Sequence, residues 1–192
     1  MARPREFDPE KTIGTAVELF WKQGYKATSV QDLVDATGVR RGSLYAAFGS
    51  KAGLFSAAMD RYMAEHSAVR VLENEDKPIR AALEHFLAHL VDVAVADGDR
   101  CGCFVTNTAV ELSPHDRAVA SKIASNLGEL EKVLTRRLGA AQQRGEIRAD
   151  KDPRTLARFL VGVMQGIRVM AKVSPDRAHL EDITDMALAG LD

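Results

Sequence analysis

The sequence predicts an all-α protein, on three observations. No stretch of four to eight residues alternates apolar with polar, so no strand is expected. Apolar residues instead return every three or four positions, the interval that lines one face of a helix. The runs open on Asp or Ser, twice with proline next (Asp8-Pro9 and Asp152-Pro153), and several stop at glycine, the punctuation of helix ends. The expected architecture is an N-terminal unit of three helices over residues 1–51, with a helix-turn-helix in it, and a larger helical bundle over residues 52–192.

The first helix starts at Asp8, whose carboxylate can accept from unpaired N–H groups, with Pro9 where a missing N–H costs nothing. Ile13, Ala16, Val17, Phe20 and Trp21 give it one apolar face up to Gly24. The next stretch, Thr28 to Lys51, reads as two short helices joined by a tight turn. Thr28 or Ser29 caps the first, and Val30, Leu33 and Val34 form its buried stripe, with Asp32 and Asp35 on the wet side. Ala36 lets the second helix come close, Gly38 supplies a left-handed stop, and Val39 fills the angle. The second helix, from about Gly42 to Phe48, buries Leu44 and Phe48 and leaves Arg40, Arg41, Ser43, Tyr45 and Ala47 outward.

That outer face carries no acid. A helix start with free N–H groups, two arginines, a hydroxyl and a phenol suits the major groove, where arginine bonds guanine through two contacts at once. Corners of this kind are also common as plain packing units. The run from Gly24 to Leu54, G-Y-K-A-T-S-V-x-D-L-V-x-x-T-G-V-x-x-G-S-L-Y-x-x-F-G-S-K-x-x-L, resembles the N-terminal domain of TetR-family transcriptional regulators position by position. The resemblance implies double-stranded DNA as partner, with Thr28 and Lys51 at phosphates, Arg40, Arg41 and Ser43 at bases or backbone, and Tyr45 on the DNA backbone. Ser29 and Gly42 begin the two helices of the same surface. Ala47 stands where many members have histidine, which removes one common phosphate contact. The segment Met1–Glu6, with Arg3 and Arg5, is expected to be disordered, a minor-groove arm being the alternative.

From Lys51 one long helix is expected to run to about Leu72 through Leu54, Phe55, Ala58, Met59, Tyr62 and Met63. The pattern breaks over Asn74–Pro78. A helix from Pro78 to about Ala96 follows (Ile79, Leu83, Phe86, Leu87, Leu90, Val91), then a loop at Asp97–Arg100 and a short apolar piece from Cys103 to Leu112. A long helix from about His115 to Arg144 buries Val119, Ile123, Leu127, Leu130, Val133, Leu134 and Leu138, with Gly145 as its stop. Asp152-Pro153 opens a helix to about Val173, and Ser174-Pro175-Asp176 turns into the last, ending near Leu191. Repeats and low-complexity tracts are absent from the sequence.

The helix from Asp152 to Val173 has an apolar face (Leu156, Phe159, Leu160, Val163, Ile167, Met170) with Gly162 and Gly166 spaced by four. The resemblance implies that the last two long helices pair with their copies in a homodimer; burial inside one subunit is the alternative. Two reading helices about 34 Å apart would read a near-palindrome. The same helix carries a polar line, Arg158, Gln165, Arg168 and Lys172. Regulators of this kind enclose a pocket for a small effector, and its expected lining is Phe86, His89, Asn107, Met63, Met164, Gln165 and Arg168.

Cys101 and Cys103 fit neither a disulfide framework nor a zinc finger, which needs about four ligands. The segment G-C-F-V-T-N-T-A-V-E-L and M-A-K-V-S around Lys172 resemble a TetR branch that senses reactive electrophiles or oxidants through a cysteine. A lysine or a helix start lowers a thiol's pKa. Modification of Cys103, activated by Lys172, is therefore expected to loosen DNA binding; the alternative is a small buried hydrophobe. Residues two apart on a helix face apart, so Cys101 is not expected to bridge to Cys103. His85 and His89, with Glu84, lack the H-E-x-x-H arrangement, and a packed or solvated histidine is the preferred reading. No metal or cofactor is expected.

With 192 residues, 46% hydrophobic and 28% charged, the chain has the composition of an ordinary folded protein rather than a disordered one. Its net charge of −1 is distributed unevenly, for residues 1–51 hold eight Lys or Arg against six Asp or Glu. A protein that coats DNA non-specifically is far more basic, because that binding is driven by counterion release. This weighs against an architectural DNA-binding protein. A thiol-dependent enzyme, with Cys103 as nucleophile and His89 or His115 as base, lacks any motif with fixed catalytic context. No run reaches the roughly 18–20 apolar residues of a membrane helix, and the N-terminus lacks the apolar core of a secretory signal, so a cytoplasmic, reducing setting is expected. The expectation is a homodimeric repressor, released from its operator by a small molecule or by modification of Cys103, with the helix after Lys51 as lever.

Overall fold

The computed structural model describes residues 7–73 and 77–191; the Met1–Glu6 arm and the Asn74–Asp76 part of the expected break lie outside the described residues. Ten α-helices and no strand are present among the described residues. They are α1 (Pro9–Gln23), α2 (Val30–Thr37), α3 (Arg41–Phe48), α4 (Lys51–Glu65), α5 (Ala68–Glu73), α6 (Ile79–Ala96), α7 (Phe104–Leu112), α8 (Arg117–Gln143), α9 (Pro153–Val173) and α10 (Arg177–Ala189). Helices α1, α8, α9 and α10 each begin on an aspartate, Asp8, Asp116, Asp152 and Asp176, whose carboxylate accepts from N–H groups of the first turn.

The single helix expected from Lys51 to Leu72 is two. The chain turns at His66, whose ring lies against Tyr62 (centroids 4.4 Å apart) and Trp21 (6.2 Å). Ser67 then accepts the Arg70 N–H at 3.2 Å and starts α5. Apolar periodicity continued through this point because both pieces bury apolar residues, although α4 does so in the N-terminal core and Leu72 of α5 in the body core.

Two cores result. One is formed by α6, α8, α9 and α10 around Leu83, Leu87, Leu134, Leu138, Leu160 and Ile167. The other belongs to the N-terminal helices but also takes in Phe104, Val105 and Leu112 of α7 and Ile123 of α8. Phe55 is its hub, edge-on to Phe20 at 5.0 Å, Tyr25 at 4.7 Å and Phe104 at 5.6 Å. Burying a ring such as Phe104, 1% exposed, contributes about 1.5–3 kcal/mol and fastens α7 to the N-terminal core.

The stripe expected along α9 divides. Leu156, Leu160 and Ile167 are buried, whereas Phe159 and Met170 are 47% and 38% exposed and share their side of the helix with the open Gly162 and Gly166.

Candidate nucleic-acid interface and effector cavity

Ser29, not Thr28, caps α2. Its Oγ accepts the Asp32 N–H at 3.1 Å, and the Asp32 carboxylate accepts the Ser29 N–H at 2.7 Å, a reciprocal pair that also holds Asp32 below the usual carboxylate range. Thr28 is fully buried and its hydroxyl donates to the Gly24 carbonyl at 2.6 Å. The capping role offered to Thr28 is therefore corrected in favour of Ser29: the Thr28 hydroxyl closes the loop before α2 and faces inward. Gly38 ends α2 with φ 68°, as the turn requires.

Helix α3 is anchored by Leu44 and left open at its start. Its N-cap residue, Arg40, makes no side-chain capping bond, in contrast to α1, α2 and α4, which are capped by Asp8, Ser29 and Ser50. Arg40, Arg41 and Gly42 are exposed, Ser43 is half-buried and Tyr45 is 42% exposed. Arg41 donates to the Gln31 side chain at 3.3 Å. Lys51, half-buried at the start of α4, holds its ammonium 4.2 Å above the Tyr25 ring, and burial pulls its pKa down against the opposing pull of Glu111 and Asp32. An uncapped helix start flanked by two unburied guanidinium groups is a site for phosphate and base edges.

Helix α7 ties this corner to the rest. The Glu111 carboxylate accepts the Tyr25 N–H at 3.0 Å and the Lys26 N–H at 2.7 Å. At the other end, the Trp21 indole N–H donates to the Gly102 carbonyl at 3.0 Å, and Lys22 pairs with Asp99 at 2.6 Å.

Between α4, α5, α6, α9 and the loop before α7 lies a cavity of about 510 Å³, within the range of small-molecule sites. Of the expected lining, Phe86, His89 and Arg168 face it, and Asn107, Gln165, Met63 and Met164 do not; of the residues expected for thiol sensing, Cys103 and Lys172 border it and Cys101 does not. Asn107 donates to the Cys101 carbonyl at 2.7 Å, Gln165 accepts from the Thr106 hydroxyl at 2.7 Å, Met164 is fully buried in the body core, and Met63 packs on the N-terminal core. Pattern alone could not separate faces of a helix that all have neighbours. Trp21, Tyr62 and Arg70 line the cavity as well. The signal for Trp21 was its place as the chain's one tryptophan at the end of α1.

Burial pushes the Cys103 thiol up, but the Arg168 guanidinium, the Thr106 hydroxyl and N–H, and the Tyr62 hydroxyl together outweigh it and leave the thiol below its ordinary pKa. Tyr62 is pushed up, by burial first and then by the neighbouring sulfur. The expected activator, Lys172, acts on Cys101 instead, where burial and then Asp97 and Asp99 outweigh it and raise the thiol. Cys101 and Cys103 are both free. Among the described residues no group of three potential ligands is placed to hold a metal, and no helix is long and apolar enough to cross a membrane.

A helix-turn-helix with an open, arginine-flanked reading helix, joined through α7 to a cavity-bearing bundle, defines a DNA-binding regulator. Residues 13–58 match the sequence model of "Bacterial regulatory proteins, tetR family", and residues 77–187 that of "Tetracyclin repressor-like, C-terminal domain". The chain belongs to the TetR family, whose members are DNA-binding transcription factors and not enzymes. It is 36% identical over 189 residues to the HTH-type transcriptional repressor ComR of Escherichia coli (strain K12), covering 96% of this chain and 88% of that one. With the uncharacterized regulator YezE of Bacillus subtilis (strain 168) it shares 33% over the full length of both. Among solved structures it is similar to a cysteine-substituted form of the TetR family regulator CifR bound to a 26-bp double-strand operator, with TM-score 0.86, 31% identity and full coverage of both chains.

Proposed function

We propose that this chain is a homodimeric repressor that binds a near-palindromic operator in the cytoplasm, and that filling the cavity or modifying Cys103 releases it. Residues 1–51 would read the DNA, and residues 52–192 would bind effector and dimerise. The observation that carries the reading is the exposed, uncapped start of α3 between Arg40 and Arg41. The dimer is supported by the unburied apolar side of α9, Phe159, Met170 and the 71% exposed Val173 beside two open glycines, together with Met186 of α10, 73% exposed. Release is supported by the shared wall: Trp21 of the DNA-binding unit and the start of α7 both border the cavity. An occupant that favours a different spacing of the two reading helices shifts the population away from the DNA-fitting form. At Cys103 an activated alkene would act likewise. Its sulfur forms the new S–C bond as the C=C π bond opens, and the thiol proton ends on the carbon next to the activating carbonyl.

The test is a duplex titration with DNA from upstream of the gene and with random DNA, alongside sedimentation. A dimer that prefers the upstream duplex is expected, and Arg40→Ala and Arg41→Ala should each weaken that preference by about 1–3 kcal/mol with the melting temperature unchanged. A lone subunit that ignores every duplex overturns the reading. If Cys103→Ser still leaves the operator on treatment with N-ethylmaleimide, the thiol route is wrong.

A further inference from the structure

The charged side chains of α9 are treated in two ways along its length. Near its start, Arg154 and Arg158 both reach Glu131 of α8, at 3.2 and 3.0 Å. Just beyond its end, Arg177 pairs with Asp92 at 2.8 Å. Between them, Arg168 and Lys172 stand one turn apart at the cavity, and neither makes a hydrogen bond or ion pair among the described residues. The acids of the same lining are already engaged: Glu65 holds Arg61 at 2.8 Å, and Asp97 accepts the Gly102 N–H at 2.8 Å. Arg70, the remaining lining guanidinium, donates to the Glu65 carbonyl at 3.3 Å.

A half-buried guanidinium beside aromatic walls has lost part of its water, and a missing counterion there is costly. The Cys103 sulfur can offset at most one of the two cations. Most of the remaining lining is apolar, with Trp21, Phe86 and Leu90 on the walls, beside the polar Tyr62, His66, Ser67 and His89.

We infer that the cavity is built for a small amphipathic anion, a carboxylate on an aromatic or aliphatic body, its charge between Arg168 and Lys172 and its body against Trp21, Phe86 and Leu90. A carboxylate matches the guanidinium fork, and the apolar walls fit a ring or hydrocarbon chain better than a sugar phosphate. This names the ligand class of the effector site proposed above and rests on that reading. It also places the ligand and Cys103 in competition for Arg168, so that a bound carboxylate removes the counterion of the thiolate.

The chain's one tryptophan borders the cavity, so its emission reports occupancy directly. The full-length protein is titrated at neutral pH with octanoate, octanol and octylamine. Octanoate is expected to bind roughly tenfold or more tighter than octanol, with octylamine weaker than both. The Arg168→Gln/Lys172→Gln double variant, its fold checked by circular dichroism, should bind octanol as the parent does and lose the preference for octanoate. Equal affinity for octanoate and octanol, a preference that survives in the double variant, or failure of both compounds to bind overturns the inference. Operator affinity measured without ligand tests the regulator reading separately, and octanoate that binds with the stated preference yet leaves the operator occupied defeats only the release step.

Discussion

The two ends of α7 are built to opposite rules. At its far end the Glu111 carboxylate is matched: both oxygens accept backbone N–H groups of the DNA-binding unit, and Gly24 is packed against the same carboxylate. At its start the matching is incomplete. The Cys103 thiol interacts with the Arg168 guanidinium, which has no carboxylate partner among the described residues, and the loop carbonyl of Gly102 is held by Trp21, itself a wall of the cavity. Under the proposed release, an occupant would act at the end with spare charge and spare volume, and the bonded end would carry the displacement to the DNA-binding unit. The lever of that proposed release would include α7, in addition to the helix after Lys51 to which the sequence pointed.

The contrast can be broken most strongly at Gly24. Its φ of 83° and ψ of 168° lie where only glycine is at ease, and a Cβ would stand 2.9 Å from a Glu111 oxygen. Gly24→Ala is expected to cost roughly 2–3 kcal/mol in urea unfolding and to weaken operator binding with it. Glu111→Ala comes next. It strands the Tyr25 and Lys26 N–H groups, of which only the first is shielded from water, so a loss of about 1–2 kcal/mol is expected. If α7 transmits, this variant should also respond less to a cavity ligand in operator release; an unchanged response places the signal elsewhere.

The smallest effect sharpens the other end. With its pKa depressed, Cys103 stays ionised to lower pH than a free thiol, so its alkylation by iodoacetamide in a Cys101→Ser background should fall off only below the ordinary thiol midpoint. Arg168→Gln removes the chief charge that stabilises the thiolate and should move that midpoint upward, whereas Lys172→Gln should leave it nearly in place. A midpoint that follows Lys172 instead would restore the activator expected from the sequence.

The reading corner was legible because its determinants are local. The Asp8 cap, the stop at Gly38, the buried Leu33 and Leu44 and the outward arginines all act within a turn or two of themselves, so spacing along the chain is spacing in the fold. Even there, the choice between Thr28 and Ser29 needed coordinates, since two adjacent hydroxyls are equally good caps until one is buried.

The amino-acid order by itself determined the all-helical architecture, the places where most helices begin, and the outward placement of Arg40 and Arg41, because hydrogen bonding within a helix and the capping of its ends depend on near neighbours. Tertiary structure alone decided which of α9's faces meets the cavity, that Arg168 rather than Lys172 attends Cys103, that His66 meets Trp21, and that Glu111 reaches the backbone of residues 25 and 26. Those pairings join residues tens of positions apart, and packing of several elements at once, not the period of any one, sets which side chains meet.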